Sequence, residues 1–459
     1  MRNYYLLGRE TKLLWLAFAF LAAAALALTL APSVRAGAWS FSPSGAQAWL
    51  LLAGWAAAAI AGHKLLDRMA SGRDPYLFPI AMFLAGWGVL EIWRLAPRFG
   101  LRQGAWLLLA VAAMLVVTRG PSDLRWLRRY RYLWLIAGLA LTALTLLFGV
   151  NPSGAGAQLW LGCCAGLIAG EGLYFQPSEI LKLLLVVFLA AYLADKRPIL
   201  ISEGYMLGPL RLPPLPYILP LVMMWGFSIL LLLSQRDLGT GSLFFAVFLV
   251  MLFLASGRSG YLWAGLVLLL IAGVIGYRSF DLVRLRVDAW WNPWPDASGR
   301  SFQIVQSLIA VASGGVLGRG FGLGAPGLVP VAHSDFIFAA IAEEWGLAGA
   351  FGLLAAFGVL VLRGFGIAAR AGNGASALPQ VGNLREGLPP TLRRGAEFKL
   401  LLAAGLSSVI ALQGLMIMGG AIRLLPLTGM ALPFLSYGGS ALLVNFIMLG
   451  LLLKVSAMR

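Results

Sequence analysis

The first candidate for chemistry is a carboxylate, Asp296, set among tryptophan, proline, glycine and glutamine in WNPWPDASGRSFQ, 291–303. A carboxylate within hydrogen-bond reach of a hydroxyl takes its proton as the hydroxyl attacks, general-base catalysis worth about 10²- to 10⁴-fold. Just downstream, Gln303, Gln306 and Ser307 recur at helical spacing, so a helix there would turn an amide and hydroxyl face toward a polar cavity. A plainer reading competes: an interfacial helix capped by Asp296 or Ser298, with the tryptophans as a membrane-interface belt. Other ionisable groups interrupt apolar runs, where they are costly unless paired or functional. Glu179 and Lys182, in QPSEILKLLLVVFLA, are three apart and can pair on one helix face. Asp237 lies in SQRDLGTGS, and Glu343 and Glu344 follow His333 in HSDFIFAAIAEEWGLAG. Taken singly, each reads as an ion pair or a hinge; taken together they outline a polar cavity.

The elements that must hold these groups span a membrane. Of 459 residues, 60% are hydrophobic and 12% charged, with a mean hydropathy of +0.85, beyond what water-soluble domains show. Apolar runs of about 20 residues recur along the chain. Windows place about twelve spans, at 13–31, 48–62, 76–92, 104–118, 132–149, 177–193, 216–234, 241–256, 261–277, 336–362, 399–418 and 434–453. Pro177 suits a first helical turn. The connecting loops alternate in charge, with Arg9, Lys12, Arg125, Arg128, Arg129, Arg393 and Arg394 among the many basic residues on one side. The positive-inside rule then places both termini in the cytoplasm and Asp296 outside.

The formal charge of +17 resides mostly in short juxtamembrane loops, which argues for topology and anionic headgroups and against nucleic acid. Adjacent Cys163 and Cys164 are too close for an ordinary disulfide and too few for a metal site, so they read as small apolar fillers. Val34 and Ala36 offer a cleavage pattern after the first span, but its apolar run exceeds a usual leader, so an uncleaved anchor is expected. Two loops are long. The inside one, 363–398, is rich in glycine, proline and asparagine and reads as a flexible cytoplasmic linker. The outside one, 278–335, holds Asp296, and ordered loops of that length tend to be functional.

Five stretches in order, QPSEILKLLLVVFLAAYL, QRDLGTGSLFFAVFLVMLFLASG, NPWPDASGRSFQIVQSLIAVASGG, HSDFIFAAIAEEWG and LPLTGMALPFLSYGGSALL, resemble the successive signatures of the SEDS family, the RodA- and FtsW-type peptidoglycan glycosyltransferases. The resemblance covers about residue 76 to the C-terminus. Arg423 in GGAIRLLPLTG and the long N-terminus are most similar to actinobacterial-type members. It implies an all-α polytopic membrane protein with a ten-helix core over 76–459, preceded by an added two-helix region, 1–75. It also implies an inverting glycosyltransferase that polymerises lipid II into β-1,4 glycan strands on the outer face of the bacterial cytoplasmic membrane, beside a class B penicillin-binding protein.

The family pattern D-P-x-G-x-G-Y-Q falls on Asp296, Gly299 and Gln303, with Ala297, Ser301 and Phe302 departing from it. The resemblance makes Asp296 the base that takes the proton of an acceptor GlcNAc 4-hydroxyl. Substrate contacts are expected from Arg102, Glu179, Lys182, Asp237, Gln303, Gln306, Ser307 and His333. A divalent cation, magnesium or manganese, is expected to meet the departing pyrophosphate with Arg102 or Lys182, although no residue reads as its ligand. Where the family often carries a cation before QPSE, Gln158 stands instead. Ser436, in FLSYGG, is not a nucleophile, because His63 and His333 are the only histidines and neither is indicated as its partner. Two rival functions remain in view: a lipid flippase built on broken helices and buried charge, and a non-catalytic scaffold for a penicillin-binding protein.

Overall fold

A computed structural model describes residues 2–37, 45–121, 123–152, 154, 157–168, 171–202, 205–207, 210–212, 215–373 and 390–458. In chain order its helices are α1 (Arg2–Ala36), α2 (Gly45–Met69), α3 (Leu77–Leu95), α4 (Pro97–Arg119), α5 (Arg125–Arg129), α6 (Arg131–Phe148), α7 (Pro177–Ser202) and α8 (Leu215–Ser234). They continue as α9 (Leu238–Ser256), α10 (Gly260–Ser279), α11 (Asp281–Trp291), α12 (Phe302–Gly314), α13 (Ile337–Asn373), α14 (Pro390–Ala421) and α15 (Gly439–Ala457). Each expected span is a helix. Among the described residues, 11 helices are long and apolar enough to cross a membrane, against the twelve expected. The difference is α8, whose apolar stretch there runs only from Leu219 to Ser234.

Alternation of spans puts the α3–α4, α6–α7, α8–α9, α10–α13 and α14–α15 connections on one side, whichever way the chain is oriented. Arg102, Glu179, Asp237, Asp296 and His333 all lie at or near those connections. The bundle centre is α3, α7 and α15, the most buried spans. Without a hydrophobic drive between helices in lipid, close packing rests on small residues. Gly88 of α3 is one: a Cβ there would overlap the Leu435 carbonyl oxygen.

Three expectations need correction. The long loop 278–335 is largely helical, being built from α11, α12 and two single-turn 3₁₀ segments, Trp294–Asp296 and Pro326–Leu328. Helices satisfy their own backbone groups at a membrane surface, and this is why a loop of that length can be ordered. The inside linker is shorter than expected, because α13 runs to Asn373 and α14 starts at Pro390; residues 374–389 lie outside those described. The α6–α7 connection carries a hairpin of β1 (Leu161–Ile168) and β2 (Glu171–Phe175). Cys163 and Cys164 fall in β1, with side chains outside those described.

The N-terminal region is packed into the bundle rather than appended to it. Glu10 of α1 accepts hydrogen bonds from Arg73 Nε at 3.0 Å and Arg73 Nη2 at 2.8 Å, tying α1 to the α2–α3 turn. Trp55 of α2 donates to the Met82 carbonyl of α3 at 2.7 Å.

Candidate functional site

Asp296 ends the first 3₁₀ turn, and its backbone carbonyl accepts from the amides of Gly299 and Ser301, both at 3.2 Å. The carboxylate folds back over this turn. Its Oδ2 accepts from the Arg300 amide at 3.1 Å and lies 3.9 Å from Arg300 Nε. The side chain is about half exposed, 52%, so a group arriving from outside can reach it. Neither Asp296 nor Ser298 caps α12; Ser301 occupies that position and makes no capping bond through its side chain. The interfacial-cap reading therefore fails, and Asp296 shapes the turn that precedes the helix.

The face expected of α12 is divided. Ser307 is fully buried and donates to the Ala421 carbonyl at the end of α14, at 2.7 Å. Gln303 is exposed and Gln306 half-buried. Helical spacing aligns the three, but the neighbour on that side is another helix end, not an open cavity.

Deeper on the same side, the irregular segment 422–438 between α14 and α15 is held from several directions. Such backbone is tolerated at membrane depth only where protein surrounds it. Gln413 Nε2 of α14 donates to the Ala431 carbonyl at 2.7 Å, and its Oε1 accepts from Lys182 Nζ of α7 at 2.9 Å. The same ammonium lies 2.5 Å from Glu179 Oε2. Lys182 is therefore a buried brace rather than an open cation, with donors committed to Glu179 and Gln413. Ser436 is equally occupied: its Oγ donates to the Ser334 carbonyl at 2.6 Å and accepts from the Leu432 amide at 2.9 Å. That is a structural role, consistent with its exclusion as a nucleophile. Gln103, next to half-buried Arg102 in α4, donates to the Ser436 carbonyl at 3.1 Å.

Two carboxylates and a guanidinium converge against this segment. Asp237 caps α9, accepting from the Thr240 amide at 3.1 Å. Asp335 accepts from the Ser334 hydroxyl at 2.9 Å. Arg286 of α11 reaches between them and donates to the Thr428 carbonyl at 3.4 Å. Gly429, with φ +71°, turns the chain there, beside Arg286 Nη2 and Asp335 Oδ2. All three charged residues keep some solvent access while protein surrounds them, as groups lining a recess do. Burial pushes the Asp237 carboxyl above its usual range, opposed by its bonds to Thr240 and by Arg286. Burial does the same to Asp335, opposed by the Ser334 hydroxyl and Arg286. Arg286 is pushed down by burial and held up by the two carboxylates.

The His333 ring packs against two aromatic rings, tilted to Phe99 and edge-on to Tyr437. Its ring centroid lies 4.8 Å from that of Phe99 and 5.7 Å from that of Tyr437, whose amide donates to the His333 carbonyl at 2.9 Å. Burial holds the imidazole below its ordinary range.

The structure thus brings Glu179, Lys182, Asp237 and His333 to the walls around segment 422–438, and leaves Gln303 outside. Sequence reasoning missed Arg286, Asp335 and Gln413. Asp335 lay inside the quoted HSDF stretch, and Gln413 was a lone amide in an apolar span, the one signal that could have singled it out. Among the described residues, no three His, Cys, Asp or Glu side chains are grouped to hold a metal ion. Asp237 and Asp335 feel the Arg286 charge and have no third carboxylate, histidine or cysteine grouped with them among the described residues, so they do not fit a protein-held divalent cation.

Comparison with known proteins bears on this arrangement. A family model for the FtsW/RodA/SpoVE cell cycle proteins matches residues 93–382 and 387–459, leaving α1, α2 and all but the end of α3 outside the match. The peptidoglycan glycosyltransferase RodA of Mycobacterium leprae is 34% identical over 459 residues, covering 98% of this chain and 90% of that protein. The probable peptidoglycan glycosyltransferase FtsW of Geobacter metallireducens is 34% identical over 360 residues, or 77% of this chain and 84% of that protein. Among solved structures, a chain described under the structural coordination of polymerization and crosslinking by a peptidoglycan synthase complex aligns with a TM-score of 0.64 and 27% identity, covering 84% of this chain and 97% of its own. The rod shape determining protein RodA of Thermus thermophilus aligns with a TM-score of 0.55 and 25% identity, covering 84% of this chain and 96% of that one.

Proposed function

This chain belongs to the FtsW/RodA/SpoVE family, and on that premise we propose that it polymerises lipid II into β-1,4 glycan strands at the outer face of a bacterial cytoplasmic membrane. It is a multi-pass membrane protein and a peptidoglycan glycosyltransferase. Both termini face the cytoplasm in this reading, which rests on the basic residues of the inside loops. A class B penicillin-binding protein is the proposed partner, supported by the likeness to a chain from a peptidoglycan synthase complex.

The observation that carries the mechanism is the exposed Asp296 carboxylate, on a turn between α11, which bonds Thr428 of segment 422–438, and α12, which bonds Ala421 at the end of α14. In the reaction, the 4-hydroxyl oxygen of the acceptor GlcNAc attacks the anomeric carbon of a MurNAc linked to undecaprenyl pyrophosphate. The carbon–oxygen bond to the pyrophosphate breaks as the new glycosidic bond forms, and configuration inverts. Asp296 takes the hydroxyl proton. The departing pyrophosphate carries the negative charge, which fixed cations stabilise best where water is scarce. Arg286 and Arg102 are the cations we assign to this, while Lys182 is committed to bracing. Magnesium or manganese is proposed only as a companion of the substrate's phosphate oxygens, as such ions commonly bind; no step here runs through it.

The test is strand formation from labelled lipid II by the purified protein with its cognate penicillin-binding protein, whose transpeptidase is blocked. Wild type should make polymer and folded Asp296→Asn none. Equal polymer from both would move the base elsewhere. No polymer from wild type under any magnesium or manganese condition would favour a flippase or a scaffold.

A further inference from the structure

Helix α1, which lies outside the family match, meets the loop between α12 and α13. Arg35, in the last turn of α1, donates from Nη2 to the Gly324 carbonyl at 2.7 Å. Arg94, at the end of α3, donates to the same oxygen at 2.9 Å and to Glu344 Oε1 at 3.1 Å. One backbone carbonyl thus receives two guanidinium groups from two helices. Beside it, Gly322, with φ +80°, lies flat on α1: a Cβ there would sit 2.9 Å from Ala31 Cβ and 3.3 Å from Leu28 Cδ2. Phe20 of α1 stacks on Trp345, with ring centroids 5.0 Å apart, and Phe321 packs tilted against the same indole at 5.1 Å.

The clamped loop is continuous with the helix that carries the Asp296 turn. Helix α13 breaks at Gly346, φ +66°, and its broken turn is knitted to the chain just after α12. The amides of Arg319 and Gly320 donate to the Glu343 and Glu344 carbonyls, each at 3.0 Å. In return, the amides of Leu347 and Ala348 donate to the Gly315 and Val316 carbonyls, also at 3.0 Å. The carboxylates of the same turn close the loop, Glu344 Oε2 accepting from the Gly322 amide at 3.1 Å and Glu343 Oε1 from the Ala325 amide at 2.9 Å. Helix α12 is therefore pinned at its C-terminal end by the α13 break, and the loop that follows is pinned by α1 and α3. Its N-terminal end begins six residues after Asp296.

From this geometry we infer that Arg35 is a positioning residue for the glycosyltransferase, acting through the Gly324 carbonyl and α12 on the orientation of the Asp296 turn. The inference rests on the polymerase reading above. It assigns α1 a task in catalysis, in addition to anchoring. Arg35 touches no reacting atom in this account, so its loss should lower kcat and leave the KM for lipid II alone. Remote displacements on the order of 1 Å lower rates by up to about 10²-fold.

The experiment compares full-length wild type, Arg35→Ala, Arg35→Lys and Ala31→Leu in two assays. Amide hydrogen exchange is followed across 297–301 and 315–325 in detergent, and polymerisation is followed against lipid II concentration with the cognate partner present. Arg35→Ala and Ala31→Leu should exchange faster in both segments and lose about tenfold in kcat at unchanged KM; Arg35→Lys, which keeps a donor for the carbonyl, should recover most of both. The inference is overturned if exchange speeds up at 315–325 but not at 297–301, if neither segment changes, or if KM rises while kcat holds, which would mean direct contact with the lipid headgroup. Should wild type make no polymer, the polymerase reading fails while the exchange comparison still decides whether α1 reaches the Asp296 turn.

Discussion

The Asp296 carboxylate lies directly across Gly299, so near that a Cβ on Gly299 would overlap Oδ1. The glycine is therefore part of what lets the carboxylate fold back onto the Arg300 amide. Gly299→Ala must swing that carboxylate away, and the polymerisation rate should fall about 10- to 100-fold. Both residues are exposed, so stability should change by no more than about 0.5 kcal/mol. Thermal unfolding in detergent alongside the strand assay separates the two effects, and an unchanged rate would show that the observed orientation is not the working one.

Lys182 offers a contrasting case, because its loss should be felt in folding first. Lys182→Met leaves the buried Glu179 carboxylate and Gln413 amide without their shared partner, which should cost about 3–5 kcal/mol. Adding Glu179→Gln should restore part of that loss, and a double-mutant cycle on unfolding midpoints would measure the coupling. A variant of normal stability with a raised KM for lipid II would instead make Lys182 a substrate contact.

Arg286 should matter to catalysis more than to packing. Arg286→Gln leaves Asp237 and Asp335 beside an irregular segment without their shared cation. Polymerisation should drop by about 10²-fold, the scale seen on removing one preorganised donor to a developing charge. Arg286→Lys should recover only part, since it keeps the charge near Asp237 and Asp335 but not the guanidinium's reach to the Thr428 carbonyl. Rates and unfolding midpoints measured together would decide, and an unfolding midpoint lowered in step with the rate would assign Arg286 to structure alone.

Acid stability should carry a signature of His333. Its folded-state pKa is depressed by burial, so between that value and the unfolded value of about 6.5 the unfolded chain binds the proton and the folded one does not. Stability should therefore decline as pH falls through about 6.5 and level off below the depressed value. His333→Gln should remove that part of the decline. Unfolding midpoints of both proteins from pH 7.5 to 5 give the comparison, and parallel curves would rule out the imidazole as the source.

How much of this was legible beforehand follows from what periodicity can encode. All the spans were readable because a bilayer demands about 20 apolar residues in a row, whatever packs beside them. Asp296 stood out for the same reason, as a charge kept in an aromatic loop. Ser307 was placed on the right helical face but given the wrong neighbour, since spacing within one helix says nothing about the Ala421 carbonyl 114 residues away. Lys182 was read as an available cation because Gln413, its second partner, is remote in sequence. Arg286 was hidden beside Arg284, the other arginine of α11, and only the fold distinguishes it from that exposed residue.

The loop that joins α12 to α13 is secured by main-chain groups, and this bears on how it can drift over generations. Its amides and carbonyls pair with the broken turn of α13, so most side chains between 315 and 320 are spectators to that pairing. Two positions are not. A Cβ on Gly318 would overlap the Glu344 carbonyl oxygen, and one on Gly346 would overlap the Gly318 amide nitrogen. A library randomised across this loop should return varied residues at 316 and 317 and nothing but glycine at 318 and 346, because a Cβ at either, on a backbone of positive φ, would run into main-chain atoms of the facing segment.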